Sequence, residues 1–169
     1  MSREFINVVW AGPVVLYEDM DLRGLVEDVP GTYVVFSRDN AWDFGDEENE
    51  IQYIGTAKNV RQGLEDHASS DARKGDPDVK RELRAHAEAR EAMGAWVAYF
   101  DVYEDVADNE QLAACAEAEL LKAFMNRFGE LPEGNQVDGS YKGSEFPGEL
   151  VDDYEFGDEL WAVIDWHVN

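Results

Sequence analysis

The sequence is poor in cysteine, lysine and proline, and it contains no long apolar run. With Cys115 as the single cysteine, neither an intrachain disulfide framework nor a cysteine-based zinc site can form. No stretch approaches the roughly 18 consecutive apolar residues of a membrane span. The first residues lack the charged, apolar and small-residue blocks of a signal peptide, so a cytoplasmic protein with no membrane partner is expected. Positive charge is scarcest of all. The chain has 14 basic against 38 acidic residues, net −24, and only five of the basic residues are lysine. Such a balance excludes a broadly basic nucleic-acid coat.

Charge of this size can signal disorder, but 12% aromatic and 44% hydrophobic residues are enough to build a core. At 169 residues a single domain is expected. Two readings of the acid remain open. One is adaptation to molar salt, where the Debye length shrinks to about 3 Å and self-repulsion is screened; scarce lysine resembles the proteins of extreme halophiles. The other is an acidic mimic of nucleic acid that engages a basic partner. Acid scattered through every segment favours the first.

Along the chain, "FINVVWAGPVVLY" (5–17) reads as two short strand-like pieces broken at Gly12-Pro13, and "EDMDLRGLVEDVPG" as a turn or short helix. "TYVVFS" and "NEIQYIG" are β-rich, separated by the acidic loop "RDNAWDFGDEEN". A helix is expected over about 56–69. A second covers "DPDVKRELRAHAEAREAM", with Asp76 as N-cap and Pro77 at the first helical position. A third strand spans 95–104. A long helix then opens at Asp108 or Asn109 and closes at Gly129. The order β–β–α–α–β–α predicts an α+β fold with a small, mainly antiparallel sheet of three strands or slightly more, flanked by helices.

Three features point to chemistry. In the long helix, at about 100° per residue, Leu112, Ala113, Ala116, Leu120, Phe124 and Phe128 share one arc, and Glu117 falls inside it. A carboxylate there costs several kcal/mol unless a metal ion, an arginine or a tyrosine hydroxyl meets it; a place at the rim, or a structural arginine, would also satisfy it. In the first helix, Val60, Leu64 and Ala68 mark the apolar side, and His67 borders it one turn after Gly63. Finally, Lys58, Arg61, Arg73, Lys74, Lys80, Arg81, Arg84 and Arg90 gather eight of the fourteen basic residues within 33 positions. That segment can dock a phosphate backbone, or can pair with the interleaved glutamates of a surface helix.

Together "PGTYVVF", "YIGTAKNVRQGLEDH", "AEAELLKAF" and "LPEGN" resemble, in order, the motifs of the GIY-YIG nuclease superfamily, over about residues 28–136. Residues 1–27 are then an N-terminal extension able to add strands, and 137–169 an acidic C-terminal extension packed on the same domain. The resemblance implies endonucleolytic hydrolysis of DNA with one Mg²⁺ or Mn²⁺. Tyr33, Tyr53 and His67 would serve catalysis, Glu117 would hold the metal, and Asn135 would meet substrate. Lys58, Arg61, Arg81 and Arg84 are the candidate phosphate contacts. The departure is Gly63, where the family usually carries an arginine that stabilises charge on the phosphate. Arg61 leaves the helix about 160° away from it. The alternative is a degenerate member of the fold that binds nucleic acid or protein without cutting.

Overall fold

A computed structural model describes residues 4–38, 51–88, 92–101, 109–129, 131–132, 135 and 154–156. Within them the fold is α+β. Five strands, β1 (Glu4–Leu16), β2 (Gly31–Arg38), β3 (Ile51–Ala57), β4 (Ala92–Asp101) and β5 (Tyr154–Phe156), form one open sheet in the order β3-β2-β4-β1-β5. Every neighbouring pair is antiparallel except β1 with β5. Helices α1 (Val60–Ala68) and α2 (Pro77–Glu88) cover one face and α3 (Asn109–Phe128) the other.

Alternation along β2 assigns its side chains to the two layers. Val34 packs with Leu112, Ala116 and Leu120 of α3. Tyr33 and Val35 join Val60 and Leu64 of α1 and Val79 and Leu83 of α2. Fully burying a side chain such as Leu64 or Leu120 contributes roughly 1.5–3 kcal/mol, so both helix layers are held mainly by apolar burial.

Where two strand-like pieces were expected at the N-terminus, β1 is one strand. Its pairing with β4 shifts between Ala11 and Val14. Ala11 lies opposite Val97 and Val14 opposite Ala95, so β1 carries one residue more than its partner. That bulge occupies Gly12-Pro13, where proline has no N–H to give the ladder. It also reverses which residues face which layer. Val8 packs on the α3 side, whereas Val14 and Leu16 pack on the α1/α2 side. Residues 4–16 therefore lie inside the sheet, between β4 and β5.

Other boundaries move for local reasons. Thr56 and Ala57 pair with Thr32 and Gly31 in the β2–β3 ladder, so α1 begins only at Val60. Its N-cap is Asn59, whose side chain accepts from Gln62 N at 3.1 Å. Asp76 caps α2 as expected, accepting from Val79 N at 3.2 Å, but α2 ends at Glu88 and Ala92 and Met93 belong to β4. Gly129 closes α3 with φ 79, a left-handed conformation that glycine adopts without strain. The expected acidic loop, most of 38–49, lies outside the described residues.

Candidate active site

The candidate site lies at the β2–β3 pair, beneath α1. Tyr33 stands opposite Gly55, and Tyr53 opposite Val35, which makes the two tyrosines diagonal neighbours on one face. Their ring centroids are 5.9 Å apart with the planes inclined by 28°. Gly55 lies directly beneath them. A Cβ there would come within 2.5 Å of Tyr53 Cε1 and 2.7 Å of Tyr33 Oη, so only a hydrogen fits under the pair.

From α1, His67 completes a triangle of rings, 5.6 Å from Tyr33 and 4.9 Å from Tyr53 by centroid, both edge-on. The imidazole is buried at 6% exposure, with hydrogen bonds at both nitrogens: Nε2 to Tyr33 Oη at 2.7 Å, and Nδ1 to the backbone N–H of Asp76 at 2.9 Å. Burial, helped by the Lys80 charge, lowers its pKa to about 4, so the ring is neutral in neutral solution. Burial likewise holds the Tyr33 phenol well above its ordinary value, with Tyr53 and the Glu117 charge adding to the effect. Charged forms are disfavoured at both groups because the surroundings are dry.

Glu117 is buried at 6% exposure on the sheet-facing side of α3, among the apolar residues its angular position predicted. Its turn of helix is tied to β2, because the Thr32 hydroxyl donates to the Ala113 carbonyl at 2.7 Å. Thr32 precedes Tyr33, so neighbouring residues of one strand hold the glutamate's helix and the tyrosine of the opposite layer.

Gly63 sits one turn before His67, in a normal helical hydrogen bond to Asn59 O. A Cβ at this position would lie 3.9 Å from Tyr33 Oη, 3.7 Å from Tyr33 Cε1 and 3.0 Å from Ala57 Cβ. A side chain at 63 therefore starts out along the edge of Tyr33. Arg61 is elsewhere. Its guanidinium pairs with Asp28 at 3.2 Å and lines a groove of about 900 Å³ with Val9, Leu25, Glu27 and Tyr99.

The remaining expected contacts separate as well. Asn135 Oδ1 accepts from Ile54 N at 2.9 Å and its Nδ2 donates to Ile54 O at 2.8 Å. It thus completes the outer side of β3, the edge strand next to the site, as a neighbouring strand would, and both ends of the side chain that was expected to meet substrate are bonded to Ile54. Lys58 is exposed after β3. Arg81 and Arg84 are exposed on α2 and line a groove of about 400 Å³ with Lys80 and Glu88. Lys80 itself turns inward, and its Nζ donates to Asp66 O at 3.0 Å and to Ser69 O, closing the end of α1.

Sequence reasoning did not anticipate Thr32, Lys80 or the Asp76 amide as parts of the arrangement. Only the Asp76-Pro77 cap signal placed the last of them near a helix start. No protein-family model, no curated protein and no solved structure matches the chain.

Proposed function

We propose that the chain is a GIY-YIG-type endonuclease that hydrolyses DNA phosphodiester bonds slowly, using one divalent cation. The observation that carries this reading is the convergence of Tyr33, Tyr53 and His67, with ring centroids 4.9–5.9 Å apart, over a glycine that admits nothing larger. A core built only for stability has no need to bury Tyr33 and His67 against each other and a half-buried Tyr53, since each buried polar group left unmet costs about 1–3 kcal/mol.

A single buried carboxylate suits Mg²⁺ or Mn²⁺, which is commonly held by one or two carboxylates, several waters and the substrate phosphates. Among the described residues no set of three His, Cys, Asp or Glu forms a closed cage. Glu117 would hold such an ion, and the chemistry it supplies is polarisation of the phosphate and stabilisation of the leaving oxygen. The chain's own residues bind and orient. The hydroxyl of half-buried Tyr53 meets the scissile phosphate and its attacking water, and Tyr33 orients it from beneath. Apolar neighbours of Tyr33 keep bulk water out, and His67 holds the Tyr33 hydroxyl. Slowness follows from Gly63, because a missing donor to transition-state charge costs about 10²–10³ in rate.

The test is relaxation of supercoiled plasmid in concentrated KCl with Mg²⁺. Slow nicking by wild type that disappears in Glu117→Ala is the expected result; no nicking, or nicking unaffected by that change, removes the proposal. One observation favours a second reading, a non-cutting descendant of the same fold: the edge of Tyr33 beside Gly63 receives no guanidinium from α1, since Arg61 is paired with Asp28. Activity that appears only in Gly63→Arg would select it.

A further inference from the structure

The hydrogen bonds around His67 run in one direction, and that direction limits what the tyrosines can do. Asp76 N lies 2.9 Å from His67 Nδ1. A backbone amide only donates, so Nδ1 must present its lone pair, and the neutral ring carries its one proton on Nε2. The 2.7 Å contact between Nε2 and Tyr33 Oη is then a donation from the ring to the hydroxyl. Tyr33 then gives its own hydrogen to Tyr53, a bond that favours the protonated phenol, and the Tyr53 hydrogen is left for a further acceptor.

We propose that His67 is a positioning residue whose tautomer, fixed by the Asp76 amide, makes Tyr33 a hydrogen-bond donor to Tyr53 and Tyr53 a donor toward an oxyanion, neither being a base that takes a proton from water. The oxyanion meant is a non-bridging oxygen of the phosphodiester, so this assignment builds on the endonuclease reading for its ligand but not for its geometry.

The junction between α1 and α2 holds the amide in place. Gly75, with φ 74, packs so closely on α1 that a Cβ would stand 2.5 Å from Asp66 O. Lys80 bridges Asp66 O and Ser69 O on the same turn, and the Asp76 carboxylate accepts from Val79 N. To act as a base at Nε2, His67 would have to carry its proton on Nδ1, facing the Asp76 N–H donor to donor. An imidazolium meets the same conflict. The groups facing the ring are Tyr33 and Tyr53 from the sheet, Asp66 on α1 and Lys80 from α2; the low pKa agrees with the geometry.

The deciding experiment is a long-range ¹H–¹⁵N correlation spectrum of the full-length protein in concentrated KCl, with the His67 signals identified by their loss in His67→Gln. The expected result is a protonated Nε2 and a bare Nδ1, unchanged from neutral pH down to about pH 5. A proton on Nδ1, or a titration near the ordinary histidine value of about 6.5, overturns the proposal. A kinetic arm uses two variants. His67→Gln keeps an N–H donor without a basic nitrogen and stays within about tenfold of wild type, short of the 10²–10⁴ that losing a general base removes. His67→Leu, with no donor, falls by about 10² through misplacement of Tyr33. A glutamine variant as slow as the leucine variant contradicts the assignment. If wild type does not nick at all, the endonuclease reading fails, and the tautomer alone decides the direction of the relay.

Discussion

The two borders of α1, a helix of nine residues, are built on opposite principles. On one, Gly63 and His67 lie against Tyr33 in a dry pocket whose groups stay neutral and whose hydrogen bonds are fixed at both ends. On the other, Arg61 meets Asp28 at a partly exposed ion pair, where water screens most of the attraction. The chain thus has its orienting groups on one side and its only α1 guanidinium on the other. On the proposed reading the site has positioning without charge stabilisation from α1, two contributions that are separable in rate.

Transplanting the cation is the largest way to break that contrast. Gly63→Arg, combined with Arg61→Gly, should raise the nicking rate by about 10²–10³, read in a plasmid assay. The exchange keeps one glycine in the helix, so its cost of about 1 kcal/mol moves to position 61, and Ala57 must give way by a few tenths of an ångström at its 3.0 Å contact. An unchanged rate would show that position 63 does not address the phosphate.

Gly55→Ala should be the most damaging to the ring cluster itself. With 2.5 and 2.7 Å contacts to the two tyrosines, overpacking of about 1–3 kcal/mol is expected, measured by urea denaturation. The same change at Gly24, where nothing lies within 4 Å of an added Cβ but φ is 84, would bring only the backbone strain.

Acid should separate the borders next. His67 has its pKa lowered from 6.5 to about 4 in the folded protein. Between those values the unfolded chain binds a proton that the folded chain does not, so stability is complete above about pH 6.5 and declines as pH falls toward 4. The contribution lost by pH 5 is about 2 kcal/mol. It appears as a difference between wild type and His67→Gln in paired denaturation curves, which subtracts the many surface carboxylates. Arg61→Ala should give the smallest effect, at most about 1 kcal/mol and independent of nicking. A large loss of activity there would return Arg61 to the site.

Much of this was legible in the sequence, and the failures have physical causes. The Asp76-Pro77 cap, the Gly129 stop and the buried place of Glu117 follow from local rules, and the structure has them. The α+β class and the mainly antiparallel sheet were also readable from element order. β1 was not, since Gly12-Pro13 reads as a break and only pairing with β4 turns it into a bulge. Nor was the start of α1, where ladder bonds of Thr56 and Ala57 outweigh their fit to a helix. In the site, residue type identified Tyr33, Tyr53 and His67, which come together. It could not foresee the partners of Arg61 and Asn135, Asp28 and Ile54, which lie 33 and 81 residues away. The Asp76 amide carries no side-chain signal, so its bond to His67 required coordinates.

The central claim is that the ring cluster of Tyr33, Tyr53 and His67 performs chemistry. Its most direct test is the single-turnover nicking rate of Tyr33→Phe against wild type, in concentrated KCl with Mg²⁺, with folding verified by the same urea curve. Loss of the one hydroxyl should lower the rate by at least about 10² while the chain stays folded. Equal rates in the two proteins would contradict the account.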